Sequence, residues 1–159
     1  MSPKSKIVYL LFTTVFFIFA NLYITDMIIQ CGYKLEENPV FDITFIQNQG
    51  AAFNLFEGYK IFLITFSIVA FCALLFYAIK NIKKISVIGL FFSSLLLSGI
   101  FNNMLERVTF GYVRDFFKLN FINFPIFNIS DIFINIGVFG LIFIILKNSY
   151  LKSNKTKNE

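Results

Sequence analysis

The chain has 159 residues, of which 57% are hydrophobic, only 14% are charged and 24 are phenylalanine. This composition is far from that of a soluble domain and is typical of a protein that lives in a lipid bilayer. The net charge is +5 and histidine is absent, which excludes a Ser-His-Asp triad, a Cys-His pair and histidine-ligated metal sites.

Four uncharged, apolar segments predict membrane-spanning helices, each of which needs about 20 residues to cross. The predicted helices cover about residues 7–25, 61–79, 85–105 and 128–146. In the last of these the uncharged run Ile132–Leu146 is short, and the helix is therefore expected to begin near Asn128. The sequence predicts an all-α membrane protein with one domain, residues 1–159, and four transmembrane helices.

The basic residues predict the orientation, because lysine and arginine near helix ends are retained on the cytoplasmic side. Lysines precede the first helix, separate the second from the third and follow the fourth. Both termini are therefore expected in the cytoplasm, and the loops 26–60 and 106–131, which hold most of the acidic residues, at the outer face. The positive net charge is interpreted as this orientation signal, and no nucleic-acid partner is expected.

The outer loop between the first two helices carries a β signal. Asn38-Pro39 predicts a turn, and Val40–Phe45 alternates apolar with polar side chains, which predicts a short strand. The strand leads into Asn48–Phe53, where Gly50 permits a backbone turn and two alanines permit close approach of another segment. We expect a small β-containing loop at the outer membrane surface, and Asn48-Gln49-Gly50 by itself is more typical of a turn than of a binding site.

Polar stripes run along the last two predicted helices and lead to their outer ends. Their members recur every three or four residues and include Ser94, Ser98, Asn102 and Glu106 in the third helix and Asn128, Asp131 and Asn135 in the fourth. Residues at this spacing share one helical face. Such a face is not expected to point at lipid.

Two aspartates, Asp115 and Asp131, lie at the edges of long apolar segments. Ionisable groups at or near bilayer depth are costly and by default suggest a functional site. Without histidine, hydrolysis would depend on carboxylates: one aspartate stays protonated while the other acts as a base, and together they activate water against a peptide carbonyl. An aspartate dyad is therefore the leading hypothesis for catalysis.

The residues alone leave other interpretations open at both positions. An aspartate in the first turn of a helix also stabilises the helix dipole, so Asp131 is consistent with a capping role. Asp115 is consistent with a surface ion pair to Arg107 or Arg114. Glu106 and Arg107 are interpreted as an ion pair that shapes the outer end of the third helix.

Three segments, taken in order, resemble motifs of the bacterial lipoprotein signal peptidase (signal peptidase II) family. Asn48–Phe53 is similar to the family's asparagine-x-glycine-alanine-alanine-phenylalanine element, and Gly111–Phe116 to its glycine-x-valine-x-aspartate-phenylalanine element. Phe127–Asp131 is similar to phenylalanine-asparagine-x-alanine-aspartate, with Ser130 in place of the alanine. The resemblance covers nearly the whole chain.

This resemblance implies a four-helix membrane aspartic endopeptidase that cuts diacylglyceryl-modified prolipoproteins just before the lipidated cysteine. Asp115 and Asp131 would be the catalytic pair. Residues that bind substrate or position the dyad would be Asn48, Gly50, Gly99, Asn103, Arg107 and Asn128. We expect a bacterial cytoplasmic membrane location with the site near the outer face, prolipoprotein and membrane lipid as partners, a monomer, and neither metal nor organic cofactor.

Two motifs depart from the family pattern. Asn102 and Glu106 stand where the family's glycine-asparagine-x-x-aspartate-arginine element has glycine and aspartate. In the first helix Asp26 matches an aspartate-glutamine-x-x-lysine element, but Gln30 replaces its lysine, so Asp26 is expected to lack a cationic partner. Asp26 and Glu106 are assigned supporting roles.

Two functions other than the peptidase are open to a chain of this composition. The departures are compatible with a non-catalytic binder of lipidated signal segments. A small ion or proton conductor that uses the acidic residues as a relay is disfavoured, because these residues cluster at one membrane face while the inner halves of the helices are apolar.

Overall fold

Four long helices and a two-stranded sheet make up the computed structural model, which describes residues 1–31, 39–51 and 55–157. In chain order the elements are α1 (Pro3–Cys31), β1 (Phe41–Asn48), α2 (Lys60–Lys80), α3 (Val87–Phe110), β2 (Val113–Leu119) and α4 (Ile129–Lys157). Each helix is long and apolar enough to span a membrane. The four predicted helices are thus confirmed, and α1 and α4 continue by more than a turn into their polar flanks. Asn38 of the predicted turn and Ala52 and Phe53 of the alanine motif lie outside the described residues.

The helix α3 lies at the centre of the bundle. It contacts α1, α2 and α4, and half of its membrane-spanning window is buried, against 17% or less in the other helices. Its polar stripe faces α1: Ser94 Oγ lies 2.6 Å from Thr13 Oγ1, and Asn102 Nδ2 donates to Ile18 O at 3.3 Å. The expectation that this stripe avoids lipid is confirmed.

Glycines allow α3 and α4 to approach closely. A methyl group added at Gly137 would lie 2.8 Å from both Leu96 N and Phe92 O, closer than carbon contacts allow. A methyl group at Gly99 would meet the backbone oxygen of Ser130 in the same way. Gly99 therefore lies at the helix contact beside the first turn of α4.

The sharp end of α3 determines where β2 begins. Gly111 has a φ of 90° and its N–H donates to Arg107 O at 3.1 Å. This left-handed conformation ends a helix at little cost only when the residue is glycine. The chain consequently reverses within two residues, and β2 starts beside the C-terminal end of α3.

The two strands come from the loops after α1 and α3 and pair antiparallel, with Phe41 opposite Leu119 and Asn48 opposite Val113. The predicted strand is confirmed, although it runs to Asn48 rather than Phe45 and contains an irregularity between Ile43 and Ile46. Its partner β2 was not predicted. One small sheet therefore joins the loop after α1 to the loop after α3 by hydrogen bonds between their strands.

The segment after β2 folds back along its free edge. Phe117 N donates to Phe127 O at 2.9 Å and Phe127 N donates to Phe117 O at 3.1 Å. This short bridge brings the residues that open α4 next to β2. Asn128 and Asp131 are delivered to the same place as Asp115.

The glycine contact between α3 and α4 predicts that Gly137→Ala lowers the thermal unfolding midpoint of the protein in detergent. Forcing a methyl group against the Leu96 backbone costs about 1–3 kcal/mol, while the better helix propensity of alanine returns at most about 1 kcal/mol. Ser149→Ala, at an exposed position of α4, is the control for propensity alone. An unchanged thermal unfolding midpoint in Gly137→Ala would contradict this account of the contact between α3 and α4.

Candidate active site

Asp115 is buried in the sheet and is held by two amides. Asp115 is only 2% exposed. Its two carboxylate oxygens accept hydrogen bonds from Asn48 Nδ2 at 2.8 Å and Asn128 Nδ2 at 2.7 Å. Asn48 reaches it across the sheet, because Asn48 pairs with Val113, the residue two positions before Asp115 on the same face. The alternative of a surface ion pair for Asp115 is therefore wrong.

Asp131 caps α4 and also faces the same cavity as Asp115. Its Oδ2 accepts from Asn128 N at 3.1 Å, while Asn128 Oδ1 accepts from Asp131 N at 3.0 Å. This reciprocal pair is a capping box, which satisfies two N–H groups at the start of a helix. The cap uses only Oδ2 of the carboxylate. The other oxygen, Oδ1, accepts from Asn103 Nδ2 of α3 at 3.0 Å. The capping interpretation is confirmed, and it is compatible with a role in the site.

Two asparagines connect the aspartates. Asn128 Nδ2 donates to Asp115 and lies 3.2 Å from Asn103 Oδ1, and Asn103 Nδ2 donates to Asp131. A continuous network therefore runs from one carboxylate to the other through α4 and α3. An amide offers a donor and an acceptor in one rigid plane, so this network defines the placement of each carboxylate relative to the other.

The environment of Asp115 changes its ionisation. Burial raises the pKa of the Asp115 carboxyl to about 7, and the nearby charge of Asp131 acts in the same direction. The hydrogen bonds from Asn48 and Asn128 oppose this rise but do not cancel it. A carboxyl group with such a pKa holds a proton through the acidic range and can still release it near neutrality.

Arg107 joins α3 to the loop after β1. Its Nη2 donates to Gly50 O at 2.6 Å and its Nη1 donates to Asn103 O at 3.1 Å. Gly50 N in turn donates to Asn48 Oδ1 at 2.9 Å, so Asn48-Gln49-Gly50 forms the expected turn. The amide group of Asn48 binds the turn with its oxygen and Asp115 with its nitrogen, so the turn and the site depend on the same side chain.

Glu106 does not pair with Arg107, and this part of the sequence interpretation is wrong. Glu106 Oε1 instead lies 2.8 Å from Arg114 Nη2, and Arg114 Nη1 lies 3.0 Å from Asp26 Oδ1. Neighbouring residues on a helix point in different directions, whereas the turn at Gly111 brings Arg114 back alongside Glu106. The expectation that Asp26 lacks a cationic partner is also wrong.

A cavity of about 940 Å³ opens beside the two aspartates. Its polar lining includes Asn48, Asn103, Arg107, Asp115, Asp131 and Asn135, and its apolar lining includes Ile46, Val113, Leu119, Phe124, Pro125, Ile126, Phe127, Ile132 and Ile136. Such a combination, an apolar cleft with a few convergent polar groups, is typical of a substrate site. Within the described part of the chain, no three His, Cys, Asp or Glu residues are grouped so as to hold a metal ion.

The structure thus brings together six of the sequence-predicted residues and adds others. Asp115, Asp131, Asn48, Asn103, Arg107 and Asn128 converge on the network, Gly50 anchors its turn, Gly99 lies at the helix contact, and Asp26 and Glu106 bind Arg114. Sequence reasoning missed the role of Arg114 and the apolar wall from Phe124 to Phe127. The only sequence signal for Arg114 was its position directly before Asp115.

Comparisons with known proteins identify the family of this chain. A family model described as signal peptidase (SPase) II matches residues 7–147. A lipoprotein signal peptidase of Streptococcus thermophilus (strain CNRZ 1066) is 40% identical over 108 residues, which are 68% of this chain and 70% of the relative. One from Enterococcus faecalis (strain ATCC 700802 / V583) is 36% identical over 138 residues, covering 84% and 83%.

Two solved structures share the fold. Both are of bacterial membrane enzymes obtained by the in meso method. The one at 2.3 Å resolution has a TM-score of 0.78 and 30% identity over 88% of each chain. The one at 1.9 Å has a TM-score of 0.74 and 30% identity, covering 87% of this chain and 92% of that one. The extent of the family match and the identity to these relatives show that this chain belongs to the signal peptidase II family.

Proposed function

We propose that this chain is a membrane aspartic endopeptidase that removes the signal peptide from diacylglyceryl-modified prolipoproteins by cleaving before the lipidated cysteine. Membership of the signal peptidase II family supports prolipoprotein processing. The observation that carries the catalytic type is the joining of Asp115 and Asp131, through Asn103 and Asn128, at the wall of one cavity.

Asp115 is the acid of the proposed reaction, because burial keeps its carboxyl protonated up to a pKa of about 7. Asp131 is the base. It lies at the positive end of the α4 dipole, accepts a backbone N–H and lies near the charge of Arg107. These contacts favour the carboxylate and oppose the cost of burying it.

The reaction proceeds in two proton-transfer steps. Asp131 removes a proton from a water molecule as the water oxygen bonds to the scissile carbonyl carbon, and Asp115 gives its proton to the carbonyl oxygen. The intermediate then collapses: the C–N bond breaks, the amine nitrogen takes the proton that Asp131 accepted, and Asp115 recovers its own proton from the hydroxyl group. Both carboxyl groups return to their initial states.

The rest of the cavity supports a lipidated, extended substrate. The wall formed by Phe124, Ile126 and Ile136 offers apolar contact to a signal segment or its acyl chains. Arg107 also lines the cavity. We assign its guanidinium group to the substrate carbonyl, where a positive charge stabilises the negative charge that develops on the oxygen. All of these residues come from one chain, so we propose that a monomer suffices.

The placement of lysines supports an outer location of the site. Lys6 Nζ donates to Ile85 O at 2.6 Å and to Ile82 O at 3.3 Å, so the start of α1 lies beside the turn between α2 and α3. These lysine-bearing segments form the end of the bundle opposite the sheet. By the positive-inside rule this end is cytoplasmic, and the dyad lies near the outer face.

The proposed dyad predicts that Asp115→Asn and Asp131→Asn each abolish cleavage of a diacylglyceryl prolipoprotein peptide by the reconstituted protein. Loss of a general acid or base is expected to slow turnover on the order of 10²- to 10⁴-fold, with the substitution conserving side-chain shape. Asp42→Asn removes a carboxylate from β1 of the same sheet and is expected to cleave normally. If wild type binds the peptide but leaves it intact, the chain is a binder rather than a peptidase.

The raised pKa of Asp115 predicts a pH dependence. Asp115 must carry its proton to act as acid, so kcat/KM is expected to fall as pH rises through about 7, where the free protein loses that proton. A pH-rate profile flat from the acidic range to well above neutrality would contradict the assignment of Asp115.

The proposed orientation predicts which thiol is reachable from outside. Cys31 is exposed and ends α1, beyond Asp26, which bonds Arg114 of β2, so a membrane-impermeant maleimide is expected to label it in intact cells. Ser149→Cys in a Cys31→Ser background, at the lysine-rich end of α4, is expected to be labelled only after permeabilisation. The reverse pattern would overturn the orientation.

A further inference from the structure

Arg114 is bonded to two carboxylates from two different helices. Its Nε and Nη2 both lie 2.8 Å from Glu106 Oε1 on α3, and its Nη1 lies 3.0 Å from Asp26 Oδ1 on α1. Its guanidinium carbon also lies 4.7 Å from the centre of the Phe110 ring, within the range of a cation–π contact. One side chain therefore fastens β2 to the outer ends of α1 and α3.

The two arms of this cluster differ in strength. The side chains of Arg114 and Glu106 are 14% and 8% exposed, whereas that of Asp26 is 56% exposed. Water and salt screen exposed pairs, and a forked bond between poorly exposed groups is far less weakened. The arm to Glu106 is therefore expected to dominate, and the arm to Asp26 to add less.

Glu106 also holds the backbone of β2. Its Oε2 accepts from Arg114 N at 2.8 Å, and on the same strand edge Phe116 N donates to Phe127 O at 3.1 Å. The residue between these two anchors is Asp115. Its backbone is thus fixed on both sides, on the edge away from β1, while its carboxylate accepts hydrogen bonds from Asn48 and Asn128.

The same cluster accounts for two departures from the family motifs. Gln30 removes the cation from helix α1, and Arg114 on β2 supplies one to Asp26 instead. Glu106 replaces a shorter aspartate, and its extra methylene lets one oxygen reach the Arg114 side chain while the other reaches its backbone N–H.

We propose that Arg114 is a positioning residue that sets the placement of Asp115 for proton transfer, acting through Glu106 and, more weakly, Asp26. The proposal rests on the proposed function, because it assigns a role within that reaction. Arg114 does not line the cavity; its effect reaches the substrate only through its neighbour on the strand.

The test compares kcat and KM for a diacylglyceryl prolipoprotein peptide in the reconstituted wild type and in Arg114→Lys. Lysine keeps the charge, but one ammonium group cannot reproduce the forked geometry of the guanidinium. We expect kcat to fall on the order of 10- to 100-fold while KM changes by no more than about twofold, since misplacement by about 1 Å suffices for such a loss. Arg114→Gln is expected to be lower still, so that lysine partly rescues it.

Matched variants separate positioning from charge and folding. Lys118→Gln removes one positive charge from an exposed site on the same strand and is expected to keep wild-type kcat. Glu106→Asp keeps the carboxylate but shortens it, and is expected to lower kcat, whereas Asp26→Asn is expected to have a smaller effect. The thermal unfolding midpoint is measured for every variant.

Each outcome decides between the alternatives. Inert wild type overturns the proposed function itself. Wild-type kcat in both Arg114→Lys and Arg114→Gln overturns the positioning role, as does a loss of kcat that tracks the unfolding midpoint or appears chiefly in KM. If Arg114→Gln fails to fold, the double variant Arg114→Gln/Glu106→Gln also removes the Glu106 carboxylate, which would otherwise be buried without its partner. Full kcat in this double variant, or in Arg114→Lys, overturns the proposal.

Discussion

The burial of a carboxyl group at the edge of a bilayer is the constraint on which this structure depends. A buried charge without partners is strongly unfavourable. The protein meets this cost at Asp115 with two neutral amides, from Asn48 and Asn128, rather than with a cation in direct contact. A direct arginine pair would keep such a carboxylate ionised, whereas amide donors satisfy its oxygens and leave protonation accessible near neutral pH.

The helix α3 distributes the polar contacts that make this possible. Within five consecutive residues it presents Asn103 to α4, Glu106 to β2 and Arg107 to the turn at Gly50. Helical spacing sends these side chains in different directions, so one helix end can organise three neighbours. Nearer its N-terminus, the same helix packs closely against α4 through Gly99 and through Leu96, which contacts Gly137. That contact places the first turn of α4, where Asn128 and Asp131 are found.

Much of the architecture was predictable because the bilayer imposes simple rules. Length and apolarity defined the four helices, and the cost of ionisable groups near bilayer depth singled out Asp115 and Asp131. The partner strand β2 was not predictable in this way: its sequence Val113–Leu119 has no clean alternation, and its pairing with β1 joins segments far apart in the chain.

The ion pairs show the same limit at the scale of side chains. Glu106 has an arginine beside it in sequence and another eight positions away, and only the turn at Gly111 decides that Arg114 is the partner. Sequence distance favours Arg107, but adjacent helical residues diverge. Backbone geometry resolves ambiguities of this kind. For Asp131 a capping role does not exclude a role in the site, because one carboxylate oxygen accepts from Asn128 N and the other from Asn103 Nδ2.

The sheet has a consequence for biosynthesis. Asn48 and Asp115 are 67 residues apart, and the whole α2–α3 hairpin lies between them. A chain emerging from the ribosome therefore has no assembled centre until this hairpin is inserted and the loops after α1 and α3 lie on the same side of the membrane. A half-inserted chain therefore holds Asn48 and Asp115 apart, and the complete site forms only after insertion is finished.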